Sequence, residues 1–578
     1  MFVPPATDRT VWRSADEPTL RELSERARAT LGAPWPTPLA RDFARYFRDG
    51  DRDTYEQAIW VRHQRLARAV VLAAATGDPV WLDEAADGVT LFCEQSTWCW
   101  PAHDDTFARH GSVLPTVTDP YVDLGAGEVA ADLAWTDHVL GAQLDERYPG
   151  LRARIRHEVD RRVFTPFIER RDWTWLGLDG HVHNWNPWIH SNILIATRLL
   201  APSSADRLTE LVTEGLSRYA AAVPPDGAID EGYHYWWHGA LPYLETLERL
   251  GRDLDPALID FPHRVHLGGP WYLNHADGPA RPSPHQPWHV LHRLAGVAGA
   301  RDARAHAATH RRPGEAVAHE SHGLGYLLQA VLDQEWIAAV PGPSPLPRDV
   351  WFPSTQVLLA RPAAGSAAGL TLAIKGGHNG ENHNHNDVGS FIVARDGVPV
   401  LIDPGRPTYT AQTFGPRRYE IWTMRSTWHN TPSIRGTEQA AGASFTARDV
   451  VVDLDAGSFT ADLAGAYPRD DVRHWTRTAR LDRDTGTITI RDAWELLPGT
   501  GRTVVHLIAA GEVTLTGGGA DIDGVSVTWG DRPCEVTSRR LDDPQLTEVW
   551  GDRLTRLDID VTTLGPVGSL ELIVKERR

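Results

Sequence analysis

The densest group of residues able to do chemistry lies beyond the middle of the chain, in the run HNGENHNHND. On an extended strand, His383 and His385 would project from one face about 6–7 Å apart, beside Asp387. Farther along, Asp403 ends an apolar run and His429 stands in a second polar segment. Imidazole nitrogen and carboxylate oxygen both suit zinc, so two histidines and one aspartate from this region predict a metal site. The alternative is a set of unrelated surface histidines.

Three clusters in the first half of the chain combine polar side chains with aromatic rings. His181–Asn192 interleaves amides, imidazoles and tryptophans, which suits holding a polar ring by its edge and face. Asp226–Trp237 is a turn rich in Gly and Asp that leads directly into aromatic residues. Trp98–Asp104 has the composition of a sugar-binding platform. Each cluster also has a plainer interpretation, as a capped helix start or a group of core aromatics.

Two kinds of structure must position these residues. Before the middle of the chain, apolar residues recur at three- and four-residue spacing, as in Arg41–Ala75, which predicts amphipathic helices. Four prolines within Val340–Arg348 predict a stiff linker. Beyond it, short β-type runs such as Val398–Ile402 alternate with Gly- and Asp-rich turns, which is typical of an antiparallel sandwich. We therefore predict a multidomain α-then-β protein, with a helical array or toroid over residues 1–340 and an antiparallel β-sandwich over residues 341–578.

The composition of this 578-residue chain excludes several classes of protein. It has 58 basic and 76 acidic residues, a net charge of -18, which disfavours binding to nucleic acid or to an anionic membrane. Lys375 and Lys575 are the only lysines, so lysine-centred catalysis has almost no candidates. The three cysteines cannot form a disulfide framework, and no signal peptide or membrane-spanning run is visible. These features predict a cytoplasmic protein, and they leave its oligomeric state open.

Taken in order along the chain, the motifs resemble those of heparinase II/III-type polysaccharide lyases. The resemblance covers about residues 80–530, and the ordered set is more specific than any single motif. Asn184-Trp185 and Asp226–Trp237 resemble the two helical-domain motifs of that family. The β-domain signature is matched by His383-Asn-His385-Asn-Asp387, Leu401-Ile-Asp403-Pro-Gly and His429-Asn-Thr. Members of the family combine an incomplete (α/α) toroid with an antiparallel β-sandwich, so the resemblance implies the same fold here.

The resemblance implies that the chain cleaves a uronic-acid-containing glycan, such as a glycosaminoglycan or alginate, by β-elimination. This reaction requires neutralisation of the uronate carboxylate, a base for the C5 proton and an acid for the departing oxygen at C4. By motif position, Asn184 would hold the carboxylate, His383 would be the base or a partner in neutralisation, and Tyr235 would be the acid. For one configuration of the sugar, Tyr235 would serve as both base and acid.

The resemblance also implies a structural zinc ion, one per chain, held by His385, Asp403 and His429. This ion would stiffen the wall of the cleft. Some relatives have Asn-His where this chain has Asn184-Trp185. The neutralising role of that histidine would then belong to His183 or His190.

Five further residues are candidates for contacting an anionic oligo- or polysaccharide. Tyr233 competes with Tyr235 for the role of acid, but the family's tyrosine directly precedes a tryptophan, which favours Tyr235. Arg417 and Arg418 would bind substrate carboxylates, unless they are simply solvated. The complete set of substrate-binding candidates is Trp185, Tyr233, His103, Arg417 and Arg418.

Two other functions remain open at this point. A glycoside hydrolase on a helical toroid would need two carboxylates about 5–9.5 Å apart, and Asp230 and Glu231 supply acids. A non-catalytic glycan-binding homologue is less consistent with the sequence, because Asn, Tyr and His occupy all three positions where the family has its catalytic residues.

Overall fold

The computed structural model describes residues 3–200, 203–468 and 472–577. Helices fill its first part as far as Ile337, and β-strands dominate from Asp349 onward. Residues 338–348, where the proline-rich linker was expected, contain neither a helix nor a strand. The predicted fold class, an incomplete (α/α) toroid followed by an antiparallel β-sandwich, is confirmed. No helix in the described part of the chain combines the length and the apolar character needed to cross a membrane.

The helical half is built from helices that pack against their neighbours in sequence. Asp53–Thr76 packs on Pro79–Glu94, and Trp185–Leu200 packs on Ala205–Ala222. Among the described residues, the helices of nine or more residues are Glu17–Thr30, Ala40–Arg48, Asp53–Thr76, Pro79–Glu94, Leu124–Arg147, Leu151–Val159, Trp185–Leu200, Ala205–Ala222, Ala240–Arg249, Pro256–Arg264, Trp288–Ala298, Arg301–Thr309 and Leu324–Leu332.

Asp123 shows how the sequence sets both a helix start and the wall of a cavity. Its Oδ1 accepts a hydrogen bond from the backbone nitrogen of Ala126 (2.9 Å) and so caps the helix Leu124–Arg147. Its Oδ2 accepts from the backbone nitrogen of Trp100 (3.1 Å) and contacts Nδ1 of His103 (2.8 Å). The loop that carries His103 is therefore fixed to the beginning of a buried helix.

The second half contains two large antiparallel sheets. In spatial order, one sheet consists of Arg448–Asp453, Ser458–Asp462, Val472–Asp482, Thr487–Leu496, Val567–Glu576, Val525–Thr528, Gly519–Ile522 and Val513–Thr516. The other consists of Cys534–Arg540, Arg553–Asp560, Val504–Ala509, Val398–Leu401, Phe391–Arg395, Leu370–Lys375, Val357–Ala360 and Asp349–Phe352, with Pro432–Ser433 paired to Val504–Ala509.

The two sheets bury one shared apolar core. Buried and less buried positions alternate along Thr487–Leu496, as expected for a strand with one face inward. Ile374 and Phe391 from one sheet lie in the same cluster as Trp475 and Ile490 from the other. Each such side chain contributes roughly 1.5–3 kcal/mol on burial. This core makes the sandwich rigid, and loops of the sandwich extend to the helical half.

Candidate active site

A cavity of about 1120 Å³ is lined by residues from both halves of the chain. The helical half contributes, among others, the start of Trp185–Leu200 and the short helix Tyr233–Trp236. The sandwich half contributes two loops, one before the strand Phe391–Arg395 and one after Val398–Leu401. The cavity is as large as the larger small-molecule sites of proteins, and both halves of the chain contribute to its wall.

Three residues predicted to act together line this cavity as neighbours. The rings of Tyr235 and His383 stack with their centroids 3.9 Å apart. The backbone nitrogen of Asn184 lies 3.5 Å from Oε1 of Glu231, and that oxygen lies 3.9 Å from Nε2 of His383. One carboxyl group thus lies between the backbone of Asn184 and the imidazole of His383.

The expectation that His383 and His385 lie on one face of a strand is wrong. They lie in a loop, and His383 has φ 55°, in the left-handed region that extended strands exclude. The two imidazoles still converge, because both bind the same carboxylate. Nδ1 of His383 lies 3.0 Å from Asp277 Oδ2, and Nε2 of His385 lies 2.9 Å from Asp277 Oδ1.

Asp277 is the central group of the site, although no motif in the sequence pointed to it. Besides the two histidines, Arg418 Nη2 (2.9 Å) and the Tyr409 hydroxyl (2.9 Å) donate hydrogen bonds to it. Burial opposes ionisation of Asp277, but the bonds from His383 and His385 and the charge of Arg418 outweigh it. They hold the pKa of Asp277 well below its usual range, so it is a carboxylate.

The Tyr235 hydroxyl belongs to the same network. Its oxygen lies 2.5 Å from the hydroxyl oxygen of Tyr409, which itself donates to Asp277. Tyr235 is therefore the donor in the bond between the two phenols. Burial raises the pKa of Tyr235, although the nearby Arg406 acts in the opposite direction. The phenol is thus protonated at neutral pH.

Glu231 is a buried carboxyl group that pairs with no arginine or lysine in the described part of the chain, and its nearest basic group is Nε2 of His383 at 3.9 Å. Burial, reinforced by the neighbouring Asp230, raises its pKa well above the usual value, so it holds its proton. It supplies a neutral hydrogen-bonding group beside Asn184. His183, whose ring contacts Asn184, also lines the cavity, and burial lowers its pKa to about 4.

His385, Asp403 and His429 form a possible metal site. They are buried, and one donor atom from each lies within 4.8 Å of the others. Nδ1 of His385 and Nε2 of His429 are buried without a hydrogen-bond partner among the described residues. Since Nε2 of His385 faces Asp277, the ring carries its lone pair on Nδ1, as a metal ligand requires. The donor set therefore fits a zinc ion.

The structure separates the substrate-binding candidates into two groups. Trp185, His103 and Arg418 line the cavity, and the rings of His103 and Trp185 are 4.1 Å apart. Arg417 does not line it; its side chain is 72% exposed and faces Glu420, because the turn around it points to solvent.

Tyr233 and His190 are also outside the cavity. Tyr233 is buried and stacks on Tyr272 at 4.0 Å, so its competition with Tyr235 for the acid role finds no support in the structure. His190 is buried, and its Nδ1 lies 2.6 Å from the backbone oxygen of Asn186. It cannot replace a histidine at the Trp185 position.

Sequence reasoning missed Asp277, Arg406 and Tyr409. Arg406 and Tyr409 follow the Asp403-Pro-Gly motif within six residues, so the motif's continuation was a usable signal. Asp277 lies in the segment Asn274-His-Ala-Asp277-Gly, which matches no recognised pattern, and its partners are more than one hundred residues away.

Comparisons with known proteins agree with this architecture. Residues 344–541 match the family model described as "Heparinase II/III-like, C-terminal", so the resemblance predicted from the motifs is confirmed over that segment. No curated protein sequence gives a significant match.

Several solved structures share the fold at low sequence identity. Heparinase III aligns over 99% of this chain and 94% of its own, with a TM-score of 0.63 and 12% identity. A mutant heparan sulfate lyase from Pedobacter heparinus aligns over 96% and 88%, with a TM-score of 0.57 and 11% identity. A Paenibacillus xanthan lyase aligns over 97% of this chain and 59% of its own, with a TM-score of 0.50 and 12% identity. These likenesses concern the fold.

Proposed function

We propose that this chain, whose residues 344–541 match the heparinase II/III-like family, is a polysaccharide lyase that cleaves a uronic-acid-containing glycan by β-elimination. The observation that carries the proposal is the stacked pair of Tyr235 and His383 on the wall of a cavity that Asn184 also lines. The pair brings a proton donor and a proton acceptor, one from each half of the chain, to the same place.

Neutralisation of the uronate carboxylate falls to Asn184. Removal of the C5 proton moves negative charge onto that carboxylate, so a hydrogen bond there is stronger in the transition state than in the ground state. The protonated Glu231 beside Asn184 offers a second neutral donor. Neither group brings a negative charge close to the developing anion.

His383 acts as the base that removes the C5 proton. Its Nδ1 faces the Asp277 carboxylate at 3.0 Å, which favours the tautomer with hydrogen on Nδ1 and a free lone pair on Nε2. Asp277 also stabilises the imidazolium that forms when Nε2 takes the proton.

Tyr235 acts as the acid that protonates the departing oxygen at C4. It is protonated at neutral pH, and in the free site its proton is donated to the Tyr409 hydroxyl. With the sugar bound, the O–H turns from Tyr409 to the leaving oxygen. The bond between C4 and the glycosidic oxygen breaks as the double bond between C4 and C5 forms, and the phenol proton goes to the leaving oxygen.

His385, Asp403 and His429 would hold a structural zinc ion. When bound, the ion would stiffen the cleft wall rather than react with the sugar. His385 would connect it to the site, because its Nε2 bonds to the same Asp277 that orients His383.

The two adjacent acids proposed for a glycoside hydrolase, Asp230 and Glu231, do not form its catalytic pair. Glu231 lines the cavity, but Asp230 does not, and its Oδ2 accepts hydrogen bonds from the backbone and side chain of Asn382. The adjacent acids therefore do not face each other across one glycosidic bond, as hydrolysis requires.

The test is a screen of heparan, chondroitin, hyaluronan and alginate fragments, followed by ultraviolet absorbance. Elimination creates a double bond conjugated to the carboxylate, so absorbance should rise with cleavage of at least one glycan. Cleavage without absorbance would overturn the proposal in favour of hydrolysis. Binding without any cleavage would favour a non-catalytic glycan-binding protein.

A further inference from the structure

The cavity contains few positive charges for a site that receives an anionic glycan. Among the described residues that line it are three arginines and no lysine. Eight carboxyl side chains also line it, but Glu231 is protonated and others are paired with basic residues outside the lining, as Glu320 is with Arg26 and Arg68. The arginines are Arg52, Arg406 and Arg418, and the carboxyl groups belong to Asp53, Glu56, Glu128, Asp132, Glu231, Glu245, Glu320 and Glu381.

Two of the three arginines are already paired with protein carboxylates. Arg52 Nε lies 2.8 Å from Glu56 Oε1, and Arg418 Nη2 lies 2.9 Å from Asp277 Oδ1. A substrate anion that recruited either guanidinium would have to compete with a buried partner. Such pairs are costly to break, because the carboxylate left behind is uncompensated.

Arg406 is different, because it has no carboxylate partner among the described residues. Its Nε and Nη1 donate to the backbone oxygens of Asp277 (3.2 Å) and Pro407 (3.3 Å). Its guanidinium carbon lies 4.0 Å from the centre of the Tyr409 ring. The carboxylates of Asp277 and Asp543 interact with its charge without binding its guanidinium, so one anionic group of a bound glycan can pair with it close to Tyr235.

The remaining wall suits uncharged sugar. Trp188 stacks on His238 with centroids 4.5 Å apart and an angle of 13° between their planes, and the indole nitrogen of Trp188 bonds to Glu128 (3.1 Å). Trp185 packs against His103. Flat aromatic faces of this kind bind the apolar face of a pyranose ring. Burial lowers the pKa of His238 to about 4, so this imidazole adds no positive charge at neutral pH.

We propose that the cavity selects unsulfated uronate glycans, in which each uronate carries its carboxylate and the neighbouring sugars are neutral. This inference rests on the proposed function, since it names the substrate class of the same site. A sulfate keeps its charge at every relevant pH, and bringing it into a partly buried cavity without an uncommitted cation is unfavourable. The net charge of -18 adds a long-range repulsion that grows with the charge of the polymer.

The experiment compares matched hexasaccharides that differ only in sulfation, such as chondroitin with and without one sulfate on each amino sugar. Binding is measured by tryptophan fluorescence on the Tyr235→Phe variant, in which turnover does not interfere. Product formation is measured separately on the unmodified protein by ultraviolet absorbance. A heparosan and heparan sulfate pair repeats the comparison on a second backbone.

We expect the unsulfated member of at least one pair to bind about tenfold or more tightly than its sulfated counterpart. Arg406→Gln should weaken that binding by a similar factor, whereas Arg207→Gln, on the exposed face of Ala205–Ala222, should not. Equal binding, tighter binding of sulfated glycans, or no binding in either pair would overturn the inference. Selective binding without a rise in ultraviolet absorbance on the unmodified protein would instead contradict the proposed lyase function and support the selectivity.

Discussion

At the scale of single residues, a phenol from the helical half and an imidazole from the sandwich loops meet at one place. The Tyr235 hydroxyl donates to Tyr409, and both Tyr409 and His383 bind Asp277. One buried carboxylate therefore orients both the proposed acid and the proposed base. In the proposed mechanism, Tyr235 and His383 contact the sugar, and Tyr409 and Asp277 position them.

Replacing Tyr235 with Phe removes the proposed acid and keeps the ring that stacks on His383. We expect kcat to fall about 100- to 10,000-fold with little change in KM, because the proton transfer is lost while the packing remains. Steady-state kinetics on a cleaved glycan measure this. Tyr148→Phe, a surface tyrosine bonded to Asp83, is the matched control. Full activity in Tyr235→Phe would remove this phenol from the mechanism.

Some residues of the site could be predicted from the sequence, and others could not. Asn184, Tyr235 and His383 were selected from local motifs, and each lines the cavity. Asp277 could not be selected, because its importance comes from contacts with residues distant in sequence. Tyr233 was a candidate because it is two residues from Tyr235, yet the short helix Tyr233–Trp236 points the two rings in different directions.

At the scale of elements, the loops between strands connect the proposed chemistry to the sandwich core. Asp403 follows the strand Val398–Leu401, and His429 follows a short helical turn. Nδ1 of His429 lies 2.9 Å from Oδ2 of Asp403. His385 completes the group from the loop that carries His383. Periodicity predicted the strands on either side but not this loop, because a left-handed residue such as His383 leaves no mark in hydrophobic spacing.

Metal analysis tests the proposed zinc site. Elemental analysis of purified protein should find about one zinc per chain, and His429→Ala should lose it and unfold at a lower temperature, because binding energy is folding energy. His474→Ala, whose side chain is 58% exposed, should retain both the metal and the stability. Metal-free protein with unchanged thermal stability would contradict the assignment.

Glu245 gives a pH-dependent link between two helices of the toroid. It lies on Ala240–Arg249 and contacts Arg249 (2.6 Å) and, on Trp288–Ala298, Arg293 (3.3 Å). Burial opposes its ionisation, but the two arginines prevail and lower its pKa to about 2 from an ordinary value of 4.5. Its contribution to stability, about 3 kcal/mol, is thus present above pH 4.5 and is lost as pH falls towards 2.

Urea unfolding at pH 7 and pH 3 measures this contribution. Glu245→Gln should lower the free energy of unfolding at pH 7 and should lose less stability than the unmodified protein on acidification. Glu210→Gln, on an exposed surface, should behave like the unmodified protein at both pH values. An unchanged pH dependence in Glu245→Gln would show that the ion pairs of Glu245 with Arg249 and Arg293 do not contribute to the pH dependence of stability.

At the scale of the whole molecule, the cavity lies between the helical half and the sandwich loops. The apolar core of the helical half continues into one sheet of the second half, where it includes Phe352 and Ile392. Composition and periodicity predicted helices followed by strands, and the structure has that order. The way the two halves face each other was not predictable from periodicity. It depends on contacts such as those of Asp277 with the sandwich loops, which cross the boundary between them.

The masses of the products from one defined uronate oligosaccharide test the central claim most directly. β-Elimination adds no water, so the masses of the two fragments should sum to that of the substrate, and the fragment bearing the new uronate end should contain the double bond. Fragments whose summed mass exceeds the substrate by one water would identify hydrolysis and contradict the account.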